Sequence, residues 1–121
     1  MSTAVTQVAR PLTILSEEET LFRTAVRSFA EETIAPLVSH MDETAQYDPT
    51  IIPLLFDLGV MGVELPERYG GPGSSFFMAC LAVEEISRVD GAVGVLVDVH
   101  NTLVNNCVLR WGSPDIHRKY L

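Results

Sequence analysis

The chemically capable groups of this chain are three histidines, the glutamates Glu64, Glu67, Glu84 and Glu85, two cysteines and a glycine-rich turn. His40, His100 and His117 are scattered along the chain. None has a second ligand at a spacing such as His-x-x-x-His, which would put two imidazoles on one helical face, so no zinc motif is present. Asp98 and His100 are two positions apart and face different directions on a helix. His100 therefore reads as a partly exposed histidine on a helix surface. No Gly-x-Ser-x-Gly elbow appears, and nothing points to a nucleophilic Ser-His-Asp or Cys-His site, although such groups can meet in space from distant positions. Cys80 and Cys107 lie far apart, each inside an apolar segment, and form no Cys-x-x-Cys pair. They read as reduced, buried thiols acting as small apolar side chains, which fits an intracellular compartment.

The segment Glu64-Leu65-Pro66-Glu67-Arg68-Tyr69-Gly70-Gly71-Pro72-Gly73 carries three glycines and two prolines and cannot continue a helix. It lacks the spacing and the lysine of a P-loop, and it does not follow a strand, which excludes a dinucleotide fingerprint. Two readings stay open: a compact structural reversal of the chain, or a loop lining a cleft shared with another domain.

The elements that must hold these groups follow from periodicity. Ser16 and Glu19 form a capping box before an amphipathic helix carrying Leu21, Phe22, Ala25, Val26, Phe29 and Ala30. Pro36 ends or kinks it, and a polar second piece runs to about Ala45. Asp48 as N-cap with Pro49 in the first turn opens the next helix, with Ile51, Ile52, Leu54, Leu55 and Leu58 on one side and Gly59 closing it. After the turn, Ser74 or Ser75 caps a helix to about Val89, with Phe76, Ala79, Cys80 and Val83 inward and Glu84 and Glu85 outward. The stretch Gly91 to Trp111 alternates like a strand as far as Val99, then returns to helical spacing; its length favours a helix. Gly112 ends it, and Ser113-Pro114-Asp115 opens a last helix. The fold class this predicts is all-α, a small up-and-down helical bundle. Residues 92 to 99 are apolar nearly all round, as in a helix covered on several sides.

The chain has 121 residues, 47% of them hydrophobic, which suits one globular domain with a core. Acidic residues number 16 against 8 basic ones, for a net charge of -8. That argues against a duplex nucleic-acid binder. No stretch approaches the roughly 18 uninterrupted apolar residues of a membrane span. The opening residues include Arg10, several Ser and Thr, and no acid, so they read as an organelle transit peptide or as a disordered leader without an address.

The run Leu58-Gly59-Val60-Met61-Gly62-Val63 followed by Pro66-Glu67-Arg68-Tyr69-Gly70-Gly71-Pro72-Gly73 resembles the N-terminal helical domain of acyl-CoA dehydrogenases. Glu84-Glu85-Ile86-Ser87, His100-Asn101-Thr102-Leu103 and the tail from Gly112 to Lys119-Tyr120-Leu121 match it as well. The resemblance runs from about Leu12 to Leu121. Ile34-Ala35-Pro36-Leu37-Val38 and Met41-Asp42-Glu43 look most like the short/branched-chain members.

This resemblance implies residues 1–12 as a disordered leader and 13–121 as the helical domain, truncated before the family's middle β-domain. In the family, FAD lies between the middle and C-terminal domains, and a glutamate takes the α-proton of the acyl-CoA while hydride passes to the flavin. Electrons then leave to electron-transfer flavoprotein, and the outer face of the N-terminal helices resembles the surface where that acceptor docks. No residue here matches the flavin loops or the catalytic glutamate, so FAD is expected in the complete enzyme and not on this chain alone. The chain alone is expected not to catalyse. The helix bearing Val95, Val99 and Leu103 resembles the one lining the distal end of the acyl cavity; ordinary core positions are the competing reading. The resemblance further implies a homo-oligomer when complete, no membrane span, and the mitochondrial matrix as location, otherwise the cytoplasm. A free-standing helical interaction module without chemistry is the alternative function; an acyl-CoA oxidase or other flavoenzyme with a similar opening domain is a third.

Overall fold

Ser16 opens the first helix by a reciprocal cap. In the computed structural model, which describes residues 11–121, its hydroxyl accepts from the Glu19 amide at 3.1 Å and the Glu19 carboxylate accepts from the Ser16 amide at 2.6 Å. Two of the N–H groups that a helix start leaves without partners are thereby satisfied. Helix α1 then spans Glu17–Phe29. Pro36 has no N–H to give, and the helix widens before it: Ala30–Ile34 is π-helical, followed by a 3-10 turn over Ala35–Leu37. Helix α2, Val38–Thr44, ends at Ala45 in the left-handed region with φ of 53°. Most of the leader expected over residues 1–12, residues 1–10, lies outside the described residues.

Helix α3 covers Ile51–Leu58 and ends at Gly59, where φ is +85°. Asp48 does not cap it as an N-cap next to a first-turn Pro49. Its carboxylate instead accepts from the amide and hydroxyl of Thr50, and the helix proper begins two residues later than expected. Those hydrogen bonds also hold the Asp48 carboxyl below its ordinary pKa. Ile51 and Leu55 are buried, whereas Ile52 and Leu54 are exposed.

Helix α4, Phe76–Ser87, is capped by Ser75, whose hydroxyl accepts from the Met78 amide at 3.2 Å. It packs between α1 and helix α5, Gly91–Val99, which Asp90 caps at 2.8 Å through the Val93 amide. Contact on two sides widens its buried face beyond a single stripe and turns it from the expected one. Met78, Ala79, Leu81, Ala82 and Ile86 are inside, while Phe76 and Cys80 are exposed. Glu85, expected to point outward, is 2% exposed. Both cysteines are free and exposed, so the expectation of buried thiols is corrected.

After α5 the chain stays helical but widens to a π-helix over His100–Asn105, then returns to α6, Asn106–Trp111. The continuous helix of 21 residues, Gly91–Trp111, is long and apolar enough to cross a membrane by length and composition alone. Here it packs against α4 and is tied to residues 60–63 by two asparagines. Gly112 ends it, and Ser113 caps the last helix, α7, Pro114–Tyr120. Among the described residues there is no strand. The fold is an all-α bundle, with Val26, Ala30, Ile34, Ile51, Leu55, Val60, Ile86, Val93 and Val97 at its centre.

Glu85 is buried because two guanidinium groups reach it. Arg27 of α1 donates at 2.7 and 2.8 Å, one N–H to each oxygen, and Arg88 donates at 2.9 Å. The bidentate hydrogen bond from Arg27 is the main reason that the Glu85 carboxyl titrates below its ordinary value, with Arg88 adding to it against the opposing effect of burial. A carboxyl depressed in the folded state stabilises the fold above the ordinary carboxylate range, and that contribution is lost as pH falls through the folded value. Arg27→Met should therefore lower the Tm at neutral pH by about 5 °C. The gap between variant and parent should close as the pH is taken down to where Glu85 protonates. A Tm difference that is constant from neutral to strongly acidic pH would show that the pair does not stabilise the fold in this way.

Candidate functional site

Two features present themselves outside the core: the turn from Val60 to Gly73 and the outward side of the helix Gly91–Trp111. The turn begins with a 3-10 segment, Val60–Gly62, and contains a second, Glu67–Tyr69. Its amides face inward on one another. The N–H of Gly70 donates to Glu67 O at 2.8 Å, that of Gly71 to Pro66 O at 3.4 Å, that of Gly73 to Leu65 O at 2.8 Å, and that of Ser74 to Val63 O at 2.9 Å. With Pro72 lacking a donor, every amide from Gly70 to Ser74 is thus bonded inside the turn, and the glycine stretch offers none to cradle a phosphate. These residues do not fit a flavin diphosphate.

Gly71 is required by close approach. A Cβ there would lie 2.2 Å from the Leu65 carbonyl oxygen and 2.4 Å from the Leu65 Cβ. Gly70, at φ +86°, has open space around the same atom. The turn is held at its far end by Tyr69, whose hydroxyl lies 3.1 Å from Nδ1 of His117 in α7. Nε2 of that ring is 2.9 Å from Val108 O. A carbonyl only accepts, so Nε2 carries a proton, and in the neutral ring Nδ1 accepts from the Tyr69 hydroxyl. The histidine thus bridges the turn and the end of α6.

The residues expected on the acyl-cavity wall, Val95, Val99 and Leu103, are 60%, 38% and 63% exposed. They are not core positions of this chain. The inward side of the same helix carries Val93, Gly94, Val97 and Asn101. Asp98 and His100 do face apart, as the helical spacing requires. Asp98 borders a groove of about 240 Å³ shared with Cys80, Val83 and Glu84 of α4. His100 meets the ring of Phe56 edge-on at 5.3 Å, and its partial burial pushes its pKa below the ordinary histidine value. Glu64 and Glu67 stay on the turn. Among the described residues no three His, Cys, Asp or Glu side chains gather as a metal site.

Two positions escaped the sequence reading. Val104 joins the exposed apolar side, and Asn101 is buried at 4% exposure with its amide fully bonded. A further open, largely apolar depression of about 770 Å³ lies between the start of α1 and the end of α3, the turn and the start of α4, lined by Leu21, Phe22, Leu58, Val63 and Met78, with Glu17 and Glu18 at its edge.

With this geometry in place, comparison with known proteins is decisive for the family. The profile of the acyl-CoA dehydrogenase N-terminal domain matches residues 16–121, and the chain belongs to that family. It is 46% identical over 112 residues to a probable short/branched chain specific acyl-CoA dehydrogenase of Dictyostelium discoideum, covering 93% of this chain and 27% of that protein. It is 40% identical over 111 residues to the mitochondrial short/branched chain specific acyl-CoA dehydrogenase of Bos taurus, covering 92% and 26%. The butyryl-CoA dehydrogenase structure from Megasphaera elsdenii superposes with a TM-score of 0.82 at 29% identity, over 89% of this chain and 28% of that one. A chain from a structure of the electron transferring flavoprotein of Acidaminococcus fermentans superposes with a TM-score of 0.83 at 30% identity, over 89% and 28%. The chain thus spans about a quarter of the length of the relatives it matches.

The two turn glycines give a direct check on the packing. Gly71→Ala should cost about 3 kcal/mol, because backbone and not a flexible side chain meets the new Cβ. Gly70→Ala should cost only about 1–2 kcal/mol, the penalty of a left-handed residue in open space. Urea unfolding of the two variants measures the difference, and equal losses would contradict the close approach.

Proposed function

We propose that this chain serves as the N-terminal helical domain of an FAD-dependent acyl-CoA dehydrogenase acting on short or branched acyl groups. In that enzyme the flavin supplies the oxidation of the acyl chain, and the flavin site and catalytic base come from domains outside this chain. The contribution of the present residues is shape. Val95, Val99 and Leu103 form one wall of the acyl cavity and set by excluded volume the length and branching that fit. What carries this reading is that Val95, Val99 and Leu103, at four-residue spacing on one helix, present a continuous exposed apolar stripe while Val93 and Val97 of the same helix are buried. The names of the relatives support the short/branched class.

The depression beside α1 supports a second contact. Its apolar floor and the glutamates at its edge suit an apolar side chain of a partner with basic surroundings, and we assign it to the electron-transfer flavoprotein that takes the electrons away. Assembly as a homo-oligomer follows from the same reading. The mitochondrial matrix is the proposed location, supported by mitochondrial relatives from Bos taurus and Rattus norvegicus.

In the complete enzyme, Val99→Phe should move the preference toward shorter acyl-CoA by about tenfold or more in the ratio of kcat/KM values, since each methylene in an apolar pocket is worth 10- to 200-fold. An unchanged ratio of butyryl-CoA to hexanoyl-CoA turnover would remove Val99 from the wall. The 121-residue chain, mixed with FAD and desalted, should retain no flavin absorbance, because the amides of its glycine stretch, from Gly70 to Ser74, are already bonded within the turn. A retained flavin spectrum would mean that the domain holds the cofactor by groups other than those assigned.

A further inference from the structure

The helix Gly91–Trp111 is not regular, and the irregularity changes which side chains face outward. In an α-helix, Val104 lies seven residues beyond Val97 and eleven beyond Val93, on the same inward face. Val93 and Val97 are indeed fully buried, yet Val104 is 44% exposed. The π-helical turn from His100 to Asn105 begins between them and includes Val104, which it swings out beside Leu103. The inward place is taken by polar side chains. Asn101 donates from Nδ2 to Val60 O and to Val97 O, both at 2.8 Å, and accepts at Oδ1 from the Val63 amide at 2.9 Å. Asn105 donates to Met61 O at 2.8 Å. The wide turn is also held along its own length, by the Thr102 hydroxyl on Asp98 O and the Asn106 amide on Thr102 O.

We propose that Val104 is a further selectivity residue of the acyl-cavity wall, and that Asn101 is the positioning residue that puts it there by holding the π-helical turn open. The inference rests on the reading of Val95, Val99 and Leu103 as that wall. Asn101 touches no substrate; it acts on selectivity through the helix register. Loss of its amide removes its own two bonds to residues 60–63 and the bond to Val97 O, leaving only that of Asn105 to Met61 O, so the turn closes toward α geometry and Val104 rotates inward. The wall then recedes, and longer chains are accommodated.

The test is the ratio of kcat/KM for butyryl-CoA to that for hexanoyl-CoA in the complete enzyme, for Val104→Phe, Asn101→Ala and Val99→Phe. Val104→Phe, a surface change that leaves the core intact, should raise the ratio about tenfold, and Asn101→Ala should lower it by a similar factor. Opposite signs are what a merely structural role for Asn101 cannot produce, since lost stability lowers both substrates together. If Val99→Phe moves the ratio while Val104→Phe and Asn101→Ala do not, this inference is overturned and the wall reading stands. If Val104→Phe moves it and Asn101→Ala scales both substrates equally, the role of Asn101 is overturned. If none of the three moves it, the wall reading itself fails.

Discussion

The amide of Asn101 has no access to water, and the arrangement of the C-terminal half of the bundle follows from how it is satisfied. Val60, Met61 and Val63 are buried beneath the helix Gly91–Trp111, and their backbone groups must find partners inside the protein. A side chain that both donates and accepts in one plane meets that need; a hydroxyl or carboxylate does not offer the same set. Once residues 60–63 are fixed, the turn that follows is fixed with them. Its backbone folds on itself at Gly71, and Tyr69 reaches His117, which in turn holds α7 against the end of α6. A contact in the middle of one helix thus propagates through the turn to the last helix.

Much of the architecture was legible in the sequence because it is written in local chemistry. The Ser16–Glu19 box, Ser75, Gly59, Gly112 and Ser113 each act within four residues of themselves, and each stands where the pattern put it. The failures share a different cause. Glu85, Cys80 and Phe76 were assigned to faces by a single stripe, but α4 has neighbours on two sides, and only tertiary packing decides how far its buried face extends. Glu85 is tolerated inside because Arg27, 58 positions earlier, comes to it. Asn101 and its partners are separated by 38 and 41 positions, beyond any periodic signal. Asp48 misled by chemistry of its own, since the same carboxylate that caps a helix also closes a turn onto Thr50. Of the candidate site, the spacing of Val95, Val99 and Leu103 was visible, whereas Val104 was hidden by the change of helical pitch.

The helix Gly91–Trp111 inverts the usual arrangement of polar and apolar groups in its second half. Asn101 and Asn105 point into the protein, whereas Leu103 and Val104 point out. Isolated exposed apolar residues need no explanation, but a row of them on a helix whose inward face is polar does. Burial of the row would remove apolar surface from water at about 25 cal/mol per Å², whereas turning it inward would strip the backbone of Val60–Val63 of its partners. The fold therefore satisfies its polar interior first and leaves the apolar side exposed.

That division also bears on how the outward side of the helix can vary without the helix moving. Near its start, α5 lies so close to α4 that a Cβ on Gly94 would sit 2.0 Å from the Ser87 hydroxyl oxygen. Near its middle it is tethered to residues 60–63 by the two asparagines. The helix is thus pinned by close contacts on its inward side at two separated points, which oppose sliding or rolling when a side chain on the outward side changes volume. A substitution at Val95 or Val99 consequently alters the space in front of the helix and not the position of the helix itself. The outward side chains can therefore change in volume while the inward contacts keep the helix in one place.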